Sequence, residues 1–194
     1  SAPIFADSLN VSCVGRALGG PCYATFTVGD YCYIGGGGRF MVMDISDPTS
    51  PTEVGHCYTP GIIEDIFVSG SYAYVATGHS LRMIDVSEPS NPIEVGCWGC
   101  RDPSLFVFDV YVSNDFAYVV TFDGLRVIDV SDPANPYQVG GLDMPGLQAA
   151  LELPSIFVSG SYAYVATTDV DGQAILWVID VSYPTDPYEV GYCN

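Results

Sequence analysis

The side chains best able to do chemistry here are acidic. The 194-residue chain carries 23 Asp and Glu against five arginines, no lysine and two histidines, for a formal charge of −18. Two pairs of carboxylates have suggestive spacing. In "TTDVDGQ", Asp169 and Asp171 alternate ahead of Gly172, as in many calcium loops. This makes Ca2+ the one cofactor candidate. The rest of a helix-loop-helix calcium pattern is missing, and an Asp-Gly hairpin turn accounts for the same residues. The second pair is Asp65 and Asp109, which open two equivalent strand patterns, with Thr25 and Ser155 assigned to the same place. If these strands line a central channel, the two carboxylates there could hold a cation or water.

Other chemistries find little material. His56 and His79 fall in different strand contexts, and neither GxSxG nor HExxH occurs. "GGGG" at Gly35–Gly38 lacks the Lys and following helix of a phosphate loop. Of seven cysteines, Cys32 stands where other repeats have a packed Ala. The other six, Cys13, Cys22, Cys57, Cys97, Cys100 and Cys193, are disulfide candidates. Their number points to an oxidising, extracellular or cell-surface setting, and six cysteines allow 15 pairings. "CWGC" does not open a helix in a βαβ setting, so it does not read as a redox motif. The cysteine spacing forms no pair of zinc knuckles. Asn10, in "NVS", is the glycosylation sequon. The acidic balance repels nucleic acid and anionic lipid, and no apolar run approaches the roughly 18 residues of a membrane span. The opening "SAPIFADS" fits a mature end left by signal removal or an arbitrary boundary.

The elements that would position these residues repeat. "MVMDISDPTSPTEVG", "RMIDVSEPSNPIEVG", "RVIDVSDPANPYQVG" and "WVIDVSYPTDPYEVG" align on Asp44, Asp85, Asp129 and Asp180. A period of about 40 to 50 residues belongs to stacked supersecondary units, propeller blades among them. Each copy contains four short strand signals, a to d, separated by turn residues, which predicts an antiparallel meander. Tyr33, Tyr74, Tyr118 and Tyr164 recur in strand b beside Cys32, Ala73, Ala117 and Ala163. Aromatics next to a small residue predict tight packing between sheets. Asp and Ser of "DVSDPxxP" predict a turn in which side chains bond nearby amides, so the four repeat aspartates need no catalytic role.

The words "LRVIDVS", "DPANP" and "VSGSYAYVAT" resemble the LVIVD-repeat family of β-propellers, found largely in bacterial and archaeal secreted and surface proteins. The resemblance runs from Thr25 to Cys193. It implies an all-β fold, here a four-bladed β-propeller of four-stranded antiparallel blades, and it brings no family catalytic residue. Larger propellers are usual in such proteins, so four repeats is a departure.

The expected organisation is one domain over residues 1–194, with repeats at about 25–57, 65–97, 109–140 and 155–193. Residues 1–24 form an N-terminal strand and connection. Strand d signals occur five times, around Val11–Val14, Glu53–Cys57, Glu94–Cys97, Gln138–Gly140 and Glu189–Cys193, whereas a, b and c occur four times each. The additional d-like strand can close the last blade, lie on an outer edge, or pair with another subunit. The expected function is noncatalytic: an extracellular or cell-surface structural or interaction protein, in one version a filament or envelope subunit joined by strand addition. Its partners would be itself, another surface protein or a glycan. The alternative is a propeller module that binds carbohydrate or another ligand with help from a cation. The apolar stretch from Leu142 to Ser155 is either a contact surface or a cover over the end of the ring.

Overall fold

Runs of β-branched and aromatic residues this short, separated by Gly, Asn and Pro, specify strand and turn. The computed structural model describes residues 22–145, 147, 154–168 and 171–193. These residues form four antiparallel four-stranded sheets, each a meander in chain order. The first sheet holds β1 (Ala24–Val28), β2 (Tyr31–Gly36), β3 (Arg39–Asp44) and β4 (Thr52–Tyr58). The second holds β5 (Asp65–Ser69), β6 (Tyr72–Ala76), β7 (Leu81–Asp85) and β8 (Ile93–Trp98). The third holds β9 (Val107–Ser113), β10 (Phe116–Thr121), β11 (Gly124–Asp129) and β12 (Tyr137–Asp143). The fourth holds β13 (Ser155–Ser159), β14 (Tyr162–Thr168), β15 (Ala174–Asp180) and β16 (Tyr188–Cys193). No helix among the described residues is long and apolar enough to cross a membrane. The additional strand signal at Val11–Val14 lies outside the described residues.

Local chemistry sets each meander. The first hairpins turn on Gly29, Gly70, Asn114 and Gly160, with φ of 57°, 58°, 53° and 60°. Gly enters this left-handed region freely, and Asn more readily than other side chains. The Glu-Val-Gly tripeptide (Gln-Val-Gly in the third repeat) makes one irregularity four times. Register shifts between Val42 and Met43, Met83 and Ile84, Val127 and Ile128, and Val178 and Ile179. Val54, Val95, Val139 and Val190 are thereby left without a partner in the ladder, each forming a bulge that adds twist to the outer strand.

Residues paired across a sheet share a face. Each sheet therefore has a tyrosine face, around Tyr33, Tyr74, Tyr118 or Tyr164, and a small-residue face, around Cys32, Ala73, Ala117 or Ala163. Three cores follow. The tyrosine face of the first sheet packs on the small-residue face of the second, the second packs likewise on the third, and the third on the fourth. The innermost strands lie side by side in the order β1, β5, β9, β13. This all-β series is consistent with the blades of a β-propeller.

Among the described residues no fourth core joins the fourth sheet's tyrosine face to the first sheet. Phe40, Leu81 and Leu125 share one register place and are 0% exposed, whereas Leu176, at the same place in the fourth sheet, is 39% exposed. From the 142–155 stretch, Met144 and Leu147 are buried in the core between the third and fourth sheets.

Candidate functional site

The carboxylates of the inner strands are brought together, and their register corrects the expected set. Asp65 lies opposite Ala76, Asp109 opposite Val120 and Ser155 opposite Ala166, while the first sheet places Ala24 opposite Gly35. Ala24, not Thr25, is the equivalent of Asp65. Thr25 sits one residue further along and therefore points to the other face. Its hydroxyl lies 3.2 Å from the Cys32 sulfur.

Asp65 and Asp109 hold adjacent sheets together. The Val110 amide donates to Asp65 Oδ2 at 3.1 Å, and the Ile156 amide donates to Asp109 Oδ2 at 2.8 Å. Burial, followed by the hydrogen bond and the charge of Asp65, pushes Asp109 up to about 8, against the opposing effect of the Ile156 and Ser155 bonds. This raised value favours the protonated form of Asp109, beside Asp65. Two grooves beside the pair's sheets are lined by other residues. One runs along Cys97, Trp98, Cys100, Arg101 and Pro136, the other along Pro60, His79, Ser80, Arg82 and Arg101.

The repeat aspartates act as turn residues. Asp44, Asp85, Asp129 and Asp180 each accept the amide of the Ser two residues on, at 2.8–2.9 Å. The serine hydroxyl and then its amide hold each carboxyl below the usual range. Three of the arginines are also engaged: Arg39 with Glu53 at 2.6 Å, Arg82 with Glu94 at 2.7 Å and Arg126 with Asp143 at 2.9 Å.

Of the calcium candidates, Asp171 sits in the turn between β14 and β15, and Asp169 lies outside the described residues. Among the described residues no three His, Cys, Asp or Glu side chains are grouped to hold a metal. Asn10 and Cys13 also lie outside. Cys97 and Cys100 join across the turn after β8, with Cα atoms 6.1 Å apart, the local bridge their spacing allowed. Cys22, Cys32, Cys57 and Cys193 are free thiols. Burial, followed by the charge of Glu94, pushes Cys57 up to about 11.

One contact was not anticipated from the sequence, although both its halves recur there. A Cβ added at Gly55 would fall on the carbonyl oxygen of Pro89, at Gly96 on that of Pro133, and at Gly140 on that of Pro184. The bulge glycine of each of the first three repeats therefore receives the Pro turn of the next. Reading "DPxxP" as a turn within its own repeat hid this role. The signal was the invariable Gly after Val in every strand d. An aromatic row crosses the same joints: Phe26–Phe67, Phe67–Tyr111 and Tyr111–Phe157 ring centroids lie 4.9, 4.8 and 5.1 Å apart.

The comparisons with known proteins agree with this repeat. The family model described as LVIVD repeat matches residues 27–59, 60–98, 107–143 and 154–194. No curated protein matches the chain.

Proposed function

The chain belongs to the LVIVD-repeat family, and from that premise we propose that it is a noncatalytic interaction and structural protein working outside the cell. In this reading its four sheets are β-propeller blades, and the fold is a scaffold for contact. The observation that carries the reading is how the polar groups are used. The repeat aspartates bond their own turns, Asp65 and Asp109 tie sheet to sheet, and three arginines pair along the outer strands. Large apolar side chains, by contrast, face outward on the fourth sheet, where Phe157 is 58% exposed and Tyr192 59%. A surface of this kind favours binding over chemistry. The Cys97–Cys100 bridge suits an oxidising compartment. The outer strands β4, β8, β12 and β16 offer main-chain edges for strand addition.

The test is cross-linking on intact source cells, followed by fractionation. The chain is expected in the extracellular or envelope fraction, in adducts with itself, another surface protein or a glycan. Recovery solely as free cytosolic chain would overturn the reading. So would a turnover activity that disappears in Asp109→Asn.

A further inference from the structure

The joint between neighbouring sheets occurs three times among the described residues, and among them each end of the series leaves one half of it without its counterpart. At the fourth sheet the unfilled half is the tyrosine face. Phe157, Ala166 and Leu176 are exposed, and Tyr164 and Val178 are half-buried, although their counterparts in the second and third sheets line closed cores. Gly191 occupies the place of Gly55, Gly96 and Gly140, opposite Val178. A Cβ there would meet nothing within 4 Å. The glycine is present, but no Pro turn of the described residues fills it.

The complementary half lies on the first sheet. Pro48 stands in the "DPTSP" turn at the place of Pro89, Pro133 and Pro184, and it is exposed where those three are half-buried. Ile45 is half-buried, whereas its equivalents Val86, Val130 and Val181 are 3–4% exposed. Thr25 and Thr27, both exposed, take the places of Ile66 and Val68; threonine keeps the β-branched shape that packs on a sheet. Thr25 also occupies the place of Val110 and Ile156, whose amides bond the preceding inner strand. Across an equivalent joint its amide would meet the hydroxyl of Ser155, which is exposed. The side chains named here carry no charge, but Arg39, Glu53 and His56 share the first sheet's face, where Arg39 and His56 both lie against Glu53, and Met41 and Met43 on that face are buried.

We propose that the fourth sheet's tyrosine face docks on the first sheet's small-residue face of a second copy of this chain, continuing the internal sheet-to-sheet joint head to tail. The proposal rests on the interaction reading above and names the partner. In this joint Gly191 receives the Pro48 turn of the other copy, and Phe157 meets its Phe26, extending the aromatic row. A joint between different surfaces closes into a ring when the rotation allows and otherwise grows. Two copies would present eight sheets, within the size range of propellers.

Sedimentation of the full chain over a wide dilution series tests this. The mass is expected to rise with concentration from one copy to two or more, with or without reductant. Gly191→Val is expected to weaken association by about tenfold or more while leaving the chain's own thermal unfolding unchanged, because that position is open and its φ is not left-handed. Pro48→Arg, on the exposed turn, is expected to do the same. Mixing the two variants should restore one joint, since each retains the half that the other lacks. One copy at every concentration overturns the joint, while the interaction reading keeps its own test on intact cells. Association that ignores Pro48→Arg, or that mixing fails to restore, overturns it in favour of another contact.

Discussion

At the scale of single residues, the bulge glycines and Asp109 make the sharpest predictions. Gly96→Ala places a methyl on the Pro133 carbonyl oxygen, and overpacking of this kind costs about 1–3 kcal/mol. Gly191→Ala occupies the same register place with nothing within 4 Å and is expected to stay within about 0.5 kcal/mol of the parent. Denaturant midpoints of the two variants, taken in dilute solution, check this difference. Asp109 has a folded pKa raised to about 8, by burial first and then by Asp65. Between the ordinary carboxyl range and about 8, the folded state therefore holds a proton that the unfolded state has lost. Its contribution to stability falls as pH rises across that window. Asp109→Asn keeps an acceptor for the Ile156 amide, so it should flatten this limb and stabilise the chain by about 1–3 kcal/mol at pH 8. A parent stability that rises from pH 5 to 8, or an Asn variant with the same slope, would contradict this. The turn aspartates act in the opposite direction. Asp44, Asp85, Asp129 and Asp180 have lowered pKa values, so their support is present above the ordinary carboxyl range and is lost as pH falls through the folded values.

At the scale of elements, the strands were legible because turn residues punctuate them and their apolar pattern repeats. Alternation along a strand places the strand b tyrosines and the small residues beside them on opposite faces. What sequence could not fix was register at a strand end. Thr25 was aligned with Asp65, and a one-residue offset places it on the wrong face. Nor could it pair the motif of one repeat with that of the next, because "EVG" and the following "DPxxP" meet only when sheets stack. Position within the series decides what an equivalent residue contributes. Leu125→Ala, from a fully buried site, is expected to cost about 2–5 kcal/mol. Leu176→Ala, at the same register place but 39% exposed, should cost about 1 kcal/mol or less in dilute chain. Equal losses in chemical denaturation would mean that the fourth sheet's face is covered within the single chain.

At the scale of the whole molecule, three repeated joints among the described residues link the four sheets in series. The number of repeats could be counted in the sequence. Whether the series closed on itself could not, because closure depends on the angle between sheets, which no motif encodes. The calcium reading met a similar limit, since Asp169 lies outside the described residues and Asp171 belongs to a turn. The account centres on the fourth sheet's face, exposed at Phe157 and Leu176, and on its proposed cover, a second copy. Cys193 reports on it directly. It lies opposite Leu176 and is exposed, whereas Cys57, at the same place in the first sheet, is half-buried beneath the second. The measurement is the rate of alkylation of Cys193, read by mass spectrometry against Cys57 over a dilution series. The account predicts fast labelling of Cys193 in dilute chain, slowing with concentration towards the rate of Cys57. A Cys193 rate independent of concentration would contradict it, whether the thiol is always protected or always open.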